Sequence, residues 1–209
     1  MAVELVTFGC RLNLVESETI ERQARAAGLA EVAVINTCAV TAEAVRQAGQ
    51  AIRRLARDRP ERPIIVTGCA AQIEPERFAA MPEVARVLGN AEKLDIGTWQ
   101  ALAGSNSLRV TARDHDPADK IAVGDIMLAR DAAPQRTRAL GQHTRGFLQV
   151  QNGCDHRCTF CVIPLGRGNA RSAEVDDVVM QARRLVADGA SEIVLTGVDL
   201  TSYGRERPD

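Results

Sequence analysis

The sequence predicts an α/β protein in two parts. An N-terminal parallel-sheet α/β domain occupies residues 1–103, and the opening of a β/α partial barrel, truncated before it closes, occupies 144–209, with an interdomain connection over 104–143. Three observations predict this. Three apolar, strand-like runs each end at a cysteine, at Cys10, Cys38 and Cys69. Amphipathic helical patterns follow the first two, as strand–helix–strand alternation requires. The strand–helix–strand rhythm then resumes after residue 144 around a second set of cysteines.

Residues 3–9 form the first run, and 13–27 repeat apolar positions with helical period up to Gly28, a C-terminal stop. Residues 31–37 form the second strand. In 41–57, Thr41 is the N-cap, and Ala44, Val45, Ala48, Ile52 and Leu55 make one apolar face. Residues 63–68 and 84–88 are further strands, and 91–102 a last helix. Such alternation predicts parallel strands joined by right-handed crossovers. Residues 104–142 carry turn-forming clusters and only short apolar pieces at 108–111 and 121–123, so they read as a partly extended connection. Beyond it, 147–151 is a strand, 154–161 a loop, 173–188 a helix and 192–195 a strand ending at Thr196-Gly197. Two parallel strands and one helix cannot cover each other's apolar faces. A closed eight-stranded β/α barrel takes about 250 residues, so the sequence is expected to be a piece of a longer protein.

The chain is 45% hydrophobic but only 3% aromatic, which predicts aliphatic cores. No apolar run reaches the length of a membrane span, and residues 1–6 show no basic region or apolar core of a secretory signal, so a cytoplasmic setting is expected. The formal net charge is −1. Charge is uneven, however: Arg130, Arg136, Arg138, Arg145, Arg157, Arg167 and Arg171 face only Asp131 and Asp155 between 130 and 171. That stretch reads equally as a solvated connection or as a surface for phosphate.

Cys154, Cys158 and Cys161 stand at a C-x-x-x-C-x-x-C spacing. Three thiolates this close suit three corners of a 4Fe–4S cube, leaving one iron open to a small molecule. A zinc site would need a fourth ligand such as His156 or His143, and a disulfide would need an oxidising compartment. In a parallel sheet the carboxyl ends of the strands share one edge, where ligands bind. Cys10, Cys38 and Cys69 therefore belong together in space and suit a second such cluster; taken singly, each could be a small buried hydrophobe.

With these motifs on the page, the chain resembles the methylthiotransferase family of radical-SAM enzymes. The matching stretches are Thr7-Phe8-Gly9-Cys10-Arg11-Leu12-Asn13, Asn36-Thr37-Cys38-Ala39-Val40-Thr41, Val66-Thr67-Gly68-Cys69-Ala70-Ala71-Gln72, the 154–161 loop, and Arg167-Gly168-Asn169-Ala170-Arg171-Ser172. The resemblance implies two 4Fe–4S clusters, S-adenosyl-L-methionine as cofactor, a tRNA substrate, an external electron donor, a monomer, and a C-terminal RNA-binding domain beyond residue 209. Its chemistry would be a 5′-deoxyadenosyl radical taking hydrogen from C2 of an adenine, to which a methylthio group is then added. Asn36–Thr41 and Leu195-Thr196-Gly197-Val198-Asp199 look most like the branch acting on threonylcarbamoyl-adenosine beside the tRNA anticodon. The alternatives are isopentenyl-adenosine in tRNA, an aspartate of a ribosomal protein, or a non-catalytic metal-binding fragment. The piece alone is expected to be inactive. Phe160 is a candidate contact for the cofactor's adenine, Arg167 for its carboxylate or a substrate phosphate, and Thr196 and Gly197 for backbone approach to the cofactor. Each also has a plain reading, as packing, surface charge or strand end. Asn13 reads as either a helix N-cap or an orienter of a cluster ligand.

Overall fold

The computed structural model describes residues 3–104, 108, 116–130, 132 and 145–206. Arg136, Arg138 and His143 of the connection lie outside them, as does most of the apolar piece at 108–111.

The first unit is built on strands β1 (Glu4–Thr7), β2 (Ala33–Thr37), β3 (Ile64–Gly68), β4 (Val84–Leu88) and β5 (Ile121–Ala122), all parallel and in sequential order. Side chains alternate across the pleat, and the alternation sorts the core into two layers. Ala33, Ile35, Val66 and Val87 pack with Ala48, Ile52 and Leu55 of helix α2 (Ala42–Asp58) and with Phe78 of the short helix α4 (Pro75–Ala79). Val34, Ile65 and Leu88 pack on the other face with Ile20 and Ala24 of α1 (Arg11–Ala26) and Trp99 of α5 (Ile96–Gly104). Thr41 caps α2 as expected, its hydroxyl accepting from the Ala44 amide.

Two expectations are corrected here. First, α1 and α2 join consecutive neighbouring strands from opposite faces, so the two crossovers have opposite hands and only one can be right-handed. Buried polar links tie α1 to its face: Asn13 donates to the carbonyls of Phe8 and Thr37, and Asn36 donates to the Asn13 carbonyl. Second, the helix read over 91–102 is split into a 3₁₀ turn, Glu92–Leu94, and α5. Asp95 is extended between them, and its carboxylate accepts from the amides of Gly97 and Thr98, which starts a new helix. In addition, the piece at 121–123 supplies β5, paired to Val87 and Leu88.

The second unit has β6 (Arg145–Gln149) parallel to β9 (Glu192–Thr196), with α7 (Val175–Ala187) between them. β7 (Gln151–Asn152) pairs antiparallel with β8 (Arg171–Ser172), and α6 (Ile163–Arg167) follows the cysteine loop. Its buried core is small: Leu148, Val150 and Leu185, joined by half-buried Val178, Ala182, Ile193 and Tyr203. Val179, Val186 and Leu195 stay exposed. These are the uncovered faces expected of two strands and one helix.

Candidate functional site

The three strand-end cysteines reach one cavity of about 550 Å³ at the carboxyl edge of the first sheet. Cys10 precedes α1, Cys38 follows β2, and Cys69 opens helix α3 (Cys69–Ile73). Two of the three turns share one device. Gly9 and Gly68, each just before its cysteine, both take φ +98°, a conformation that L side chains rarely adopt. A Cβ on Gly9 would sit 2.7 Å from Cys38 Sγ, and one on Gly68 would land on the backbone of Thr37. The missing side chains are what let the chain turn sharply enough to bring the thiols to one place.

The opposite wall of that cavity comes from the second unit: Val162, Ile163 and Arg167 of the α6 region, and Leu195, Thr196, Gly197, Val198 and Leu200 at the end of β9. Buried Gln151 fixes that end, its Oε1 accepting from the amides of both Val198 and Asp199 at 2.8 Å. Thr196 and Gly197 therefore stand across the cavity from the first thiol trio. Among the described residues no Asp, Glu or His lines it.

Arg167 is buried and crosses between the units. It donates to both Glu16 oxygens (2.8 and 3.3 Å), to Asn13 Oδ1 (2.6 Å) and to Asn152 Oδ1 (3.0 Å), and its Nη2 lies 4.0 Å from Cys10 Sγ. Lys93, fully buried, donates to Glu16 Oε2 at 2.7 Å and to Asn36 Oδ1 at 3.4 Å. Burial alone would push the Glu16 carboxyl up, but the charges and hydrogen bonds of Arg167 and Lys93 outweigh it and hold the pKa at about 2. Burial would likewise lower the Arg167 pKa, but the electrostatic pull of Cys69 and Glu16, with the Glu16 hydrogen bonds, raises it above its ordinary value. Burial pushes the Cys38 thiol up, as do the neighbouring Cys69 and Cys10 sulfurs, while the Val40 amide and Arg167 oppose the rise. Sequence reading missed Glu16 and Lys93. Only a charged residue amid the apolar helical pattern, Glu16 beside Val15, hinted at them.

The second trio sits on the loop between β7 and α6. Cys154 and Cys161 are partly buried and Cys158 is exposed. The Cys154 amide donates to the Gly168 carbonyl and the Cys161 amide to Cys158. Phe160 is 88% exposed and touches no core. His156 pairs with Asp199 at 3.2 Å. Of the cationic stretch, Arg145 pairs with Glu192, Arg157 donates to Asn169 and the Cys154 carbonyl, and Arg171 donates to the carbonyls of Arg167 and Asn169. Its described arginines other than Arg130 are thus spent largely inside the chain.

The residues fit the groups the family implies. Iron–sulfur clusters take soft thiolates, and potential-tuning donors to sulfur are part of such sites. Here Arg167 Nη2 approaches Cys10 Sγ, and Asn90 Nδ2 lies 3.7 Å from Cys69 Sγ. Among the described residues no three of His, Cys, Asp and Glu converge tightly enough for a single metal ion. A four-iron cube spreads its thiolates over separate irons.

Two family models match separate parts of the chain. Residues 148–207 match the radical SAM superfamily, and residues 2–89 match the uncharacterized protein family UPF0004. The second unit is thus a radical-SAM segment, following a domain that carries its own cysteine trio. The chain is 45% identical over 205 residues to the threonylcarbamoyladenosine tRNA methylthiotransferase MtaB of Rickettsia prowazekii, covering 98% of this chain and 45% of that protein. It is 36% identical to MtaB of Bacillus subtilis (97% and 45% covered) and 35% identical to the ribosomal protein uS12 methylthiotransferase RimO of an Anaeromyxobacter strain (99% and 44%). The chain spans about half the length of the curated relatives it matches. Over nearly its whole length the chain is thus similar to methylthiotransferases, and its second unit to the radical SAM superfamily.

Proposed function

We propose that this chain carries the two cluster-holding parts of an enzyme that adds a methylthio group to C2 of N6-threonylcarbamoyladenosine beside the tRNA anticodon. One observation carries the reading: the thiol trio of the first unit and the β9 end of the radical-SAM unit line the same cavity. In this reading Cys154, Cys158 and Cys161 hold one 4Fe–4S cluster, and Cys10, Cys38 and Cys69 hold the second. When bound, the first with S-adenosylmethionine supplies the hydrogen-abstracting radical and the second supplies the sulfur. The chain's own residues orient and enclose. Gly9 and Gly68 aim the thiols, Gln151 fixes the Thr196–Gly197 backbone where cofactor would approach, and Phe160 is free to cover the cofactor's adenine. Val162, Ile163, Leu195, Val198 and Leu200 make an apolar wall that limits water. Identity to the MtaB proteins supports the tRNA substrate over the ribosomal one. A cytoplasmic monomer served by an external electron donor completes the reading, and among the described residues no helix is long and apolar enough to cross a membrane.

The test is anaerobic reconstitution with iron and sulfide. About eight irons per chain are expected, from two four-iron cubes. A form extended to the relatives' full length should then add methylthio mass to tRNA bearing threonylcarbamoyladenosine. About one zinc per chain with no chromophore, or mass gained on ribosomal protein instead of tRNA, overturns the reading.

A further inference from the structure

The network joining the two units does not balance in charge. Glu16, Lys93 and Arg167 are 1%, 0% and 3% exposed, and one carboxylate faces two cations. The other partners, Asn13, Asn36 and Asn152, are neutral. Arg171, a further buried cation, donates to the Arg167 carbonyl. Among the described residues no acidic one lines the cavity onto which Arg167 opens, and Arg11 lines it as another cation. A surplus buried cation is costly unless an anion meets it. Sulfur is within reach: Cys10 Sγ lies 4.0 Å from the guanidinium, and Cys38 and Cys69 line the same cavity.

We propose that the surplus positive charge of the Glu16–Lys93–Arg167 network is the counter-charge of an anionic group held on Cys10, Cys38 and Cys69. Arg167, contributed by the radical-SAM unit, is then a positioning residue that sets the reduction potential of the group bound to the other unit. The inference rests on the cluster assignment above and goes beyond it. A 4Fe–4S core of charge +2 on three thiolates carries a net −1, the sign that a surplus of cations calls for. The cation also reads out docking: Arg167 follows the second cysteine loop directly, and the adjacent Gly168 carbonyl holds the Cys154 amide. Any displacement of that loop moves the charge beside Cys10.

The experiment uses the whole chain with Cys154, Cys158 and Cys161 replaced by alanine, so that only the first trio loads. After anaerobic reconstitution with iron and sulfide, the midpoint potential is measured by optical and EPR titration. A nearby cation favours the reduced, more negative cluster. Arg167→Gln should therefore lower the midpoint, by about tenfold in the oxidised-to-reduced ratio at fixed potential, or 59 mV for one electron. Arg167→Lys, which keeps the charge, should stay near the parent. Glu16→Gln should move it the opposite way, and it decides the matter if Arg167→Gln does not fold. Unchanged midpoints in the variants, or shifts of the same sign for Arg167→Gln and Glu16→Gln, overturn the proposal. No cluster in the parent overturns the cluster assignment itself, which is a different failure.

Discussion

Replacing Gly68 by alanine tests whether the Gly–Cys turn is fixed by contact or by backbone preference alone. Gly68 has φ +98° and ψ −174°, a region that costs a side-chain-bearing residue of order 1–3 kcal/mol. A Cβ there would also overlap the Thr37 backbone N and O. Those atoms belong to the adjacent parallel strand, where Thr37 is in register with Gly68, so β2 or β3 must shift. Forced overpacking of this kind adds about 1–3 kcal/mol. The expected loss is about 4 kcal/mol. Gly28→Ala is the control, because Gly28 has φ +81° but nothing within 4 Å of its added Cβ. It should cost about 1 kcal/mol. Guanidinium unfolding followed by Trp99, the single tryptophan and fully buried in this unit, reads both. If Gly68→Ala costs no more than Gly28→Ala, the close approach to Thr37 is not what requires glycine.

Acid provides a second test. The Glu16 carboxyl is held at about 2 against an ordinary 4.5, so its contribution of about 3 kcal/mol is full above pH 4.5 and is lost as pH falls towards 2. Glu16→Gln should lose about 3–5 kcal/mol at neutral pH by leaving two buried cations unpaired, and its stability should fall less between pH 4.5 and 2.5 in acid-titrated unfolding. Thr41→Ala should cost about 1 kcal/mol through loss of the α2 cap, measured in the same unfolding assay. Gln151→Leu should leave the Val198 and Asp199 amides without their shared acceptor; it should raise hydrogen-exchange rates at those two amides while leaving α1 and α2 protection unchanged.

The first sheet was legible because strands and helices obey different periods. Residues 84–88 were found to the residue, and Thr41 was recognised as a cap by chemistry alone. Convergence of Cys10, Cys38 and Cys69 on one cavity followed from topology. What sequence concealed was tertiary. β5 has two residues, too few to show a period. α6 is five residues long with Pro164 in its first turn, and no helix was read between 161 and 173. The break at Asp95 was hidden because its carboxylate caps by folding back on its own backbone. Asn13 lies inside α1 rather than at its cap, drawn in by carbonyls of Phe8 and Thr37. One of the first two crossovers goes against a rule of handedness that summarises many folds but knows nothing of this polar network. The Glu16–Arg167 pair could not be read at all, since 151 positions separate its members.

That separation orders events during synthesis. Closing so long a loop costs entropy that only preformed units can repay, and domains fold as they emerge, N-terminal first. The first sheet can therefore be in place, with its three thiols at an open edge, before Arg167 has been made. Through that interval Cys10, Cys38 and Cys69 stand at a sheet edge without the facing residues that the second unit later brings. Arrival of the second unit then adds Arg167 and the end of β9 to that edge, so the order of translation is also the order in which the cavity is walled.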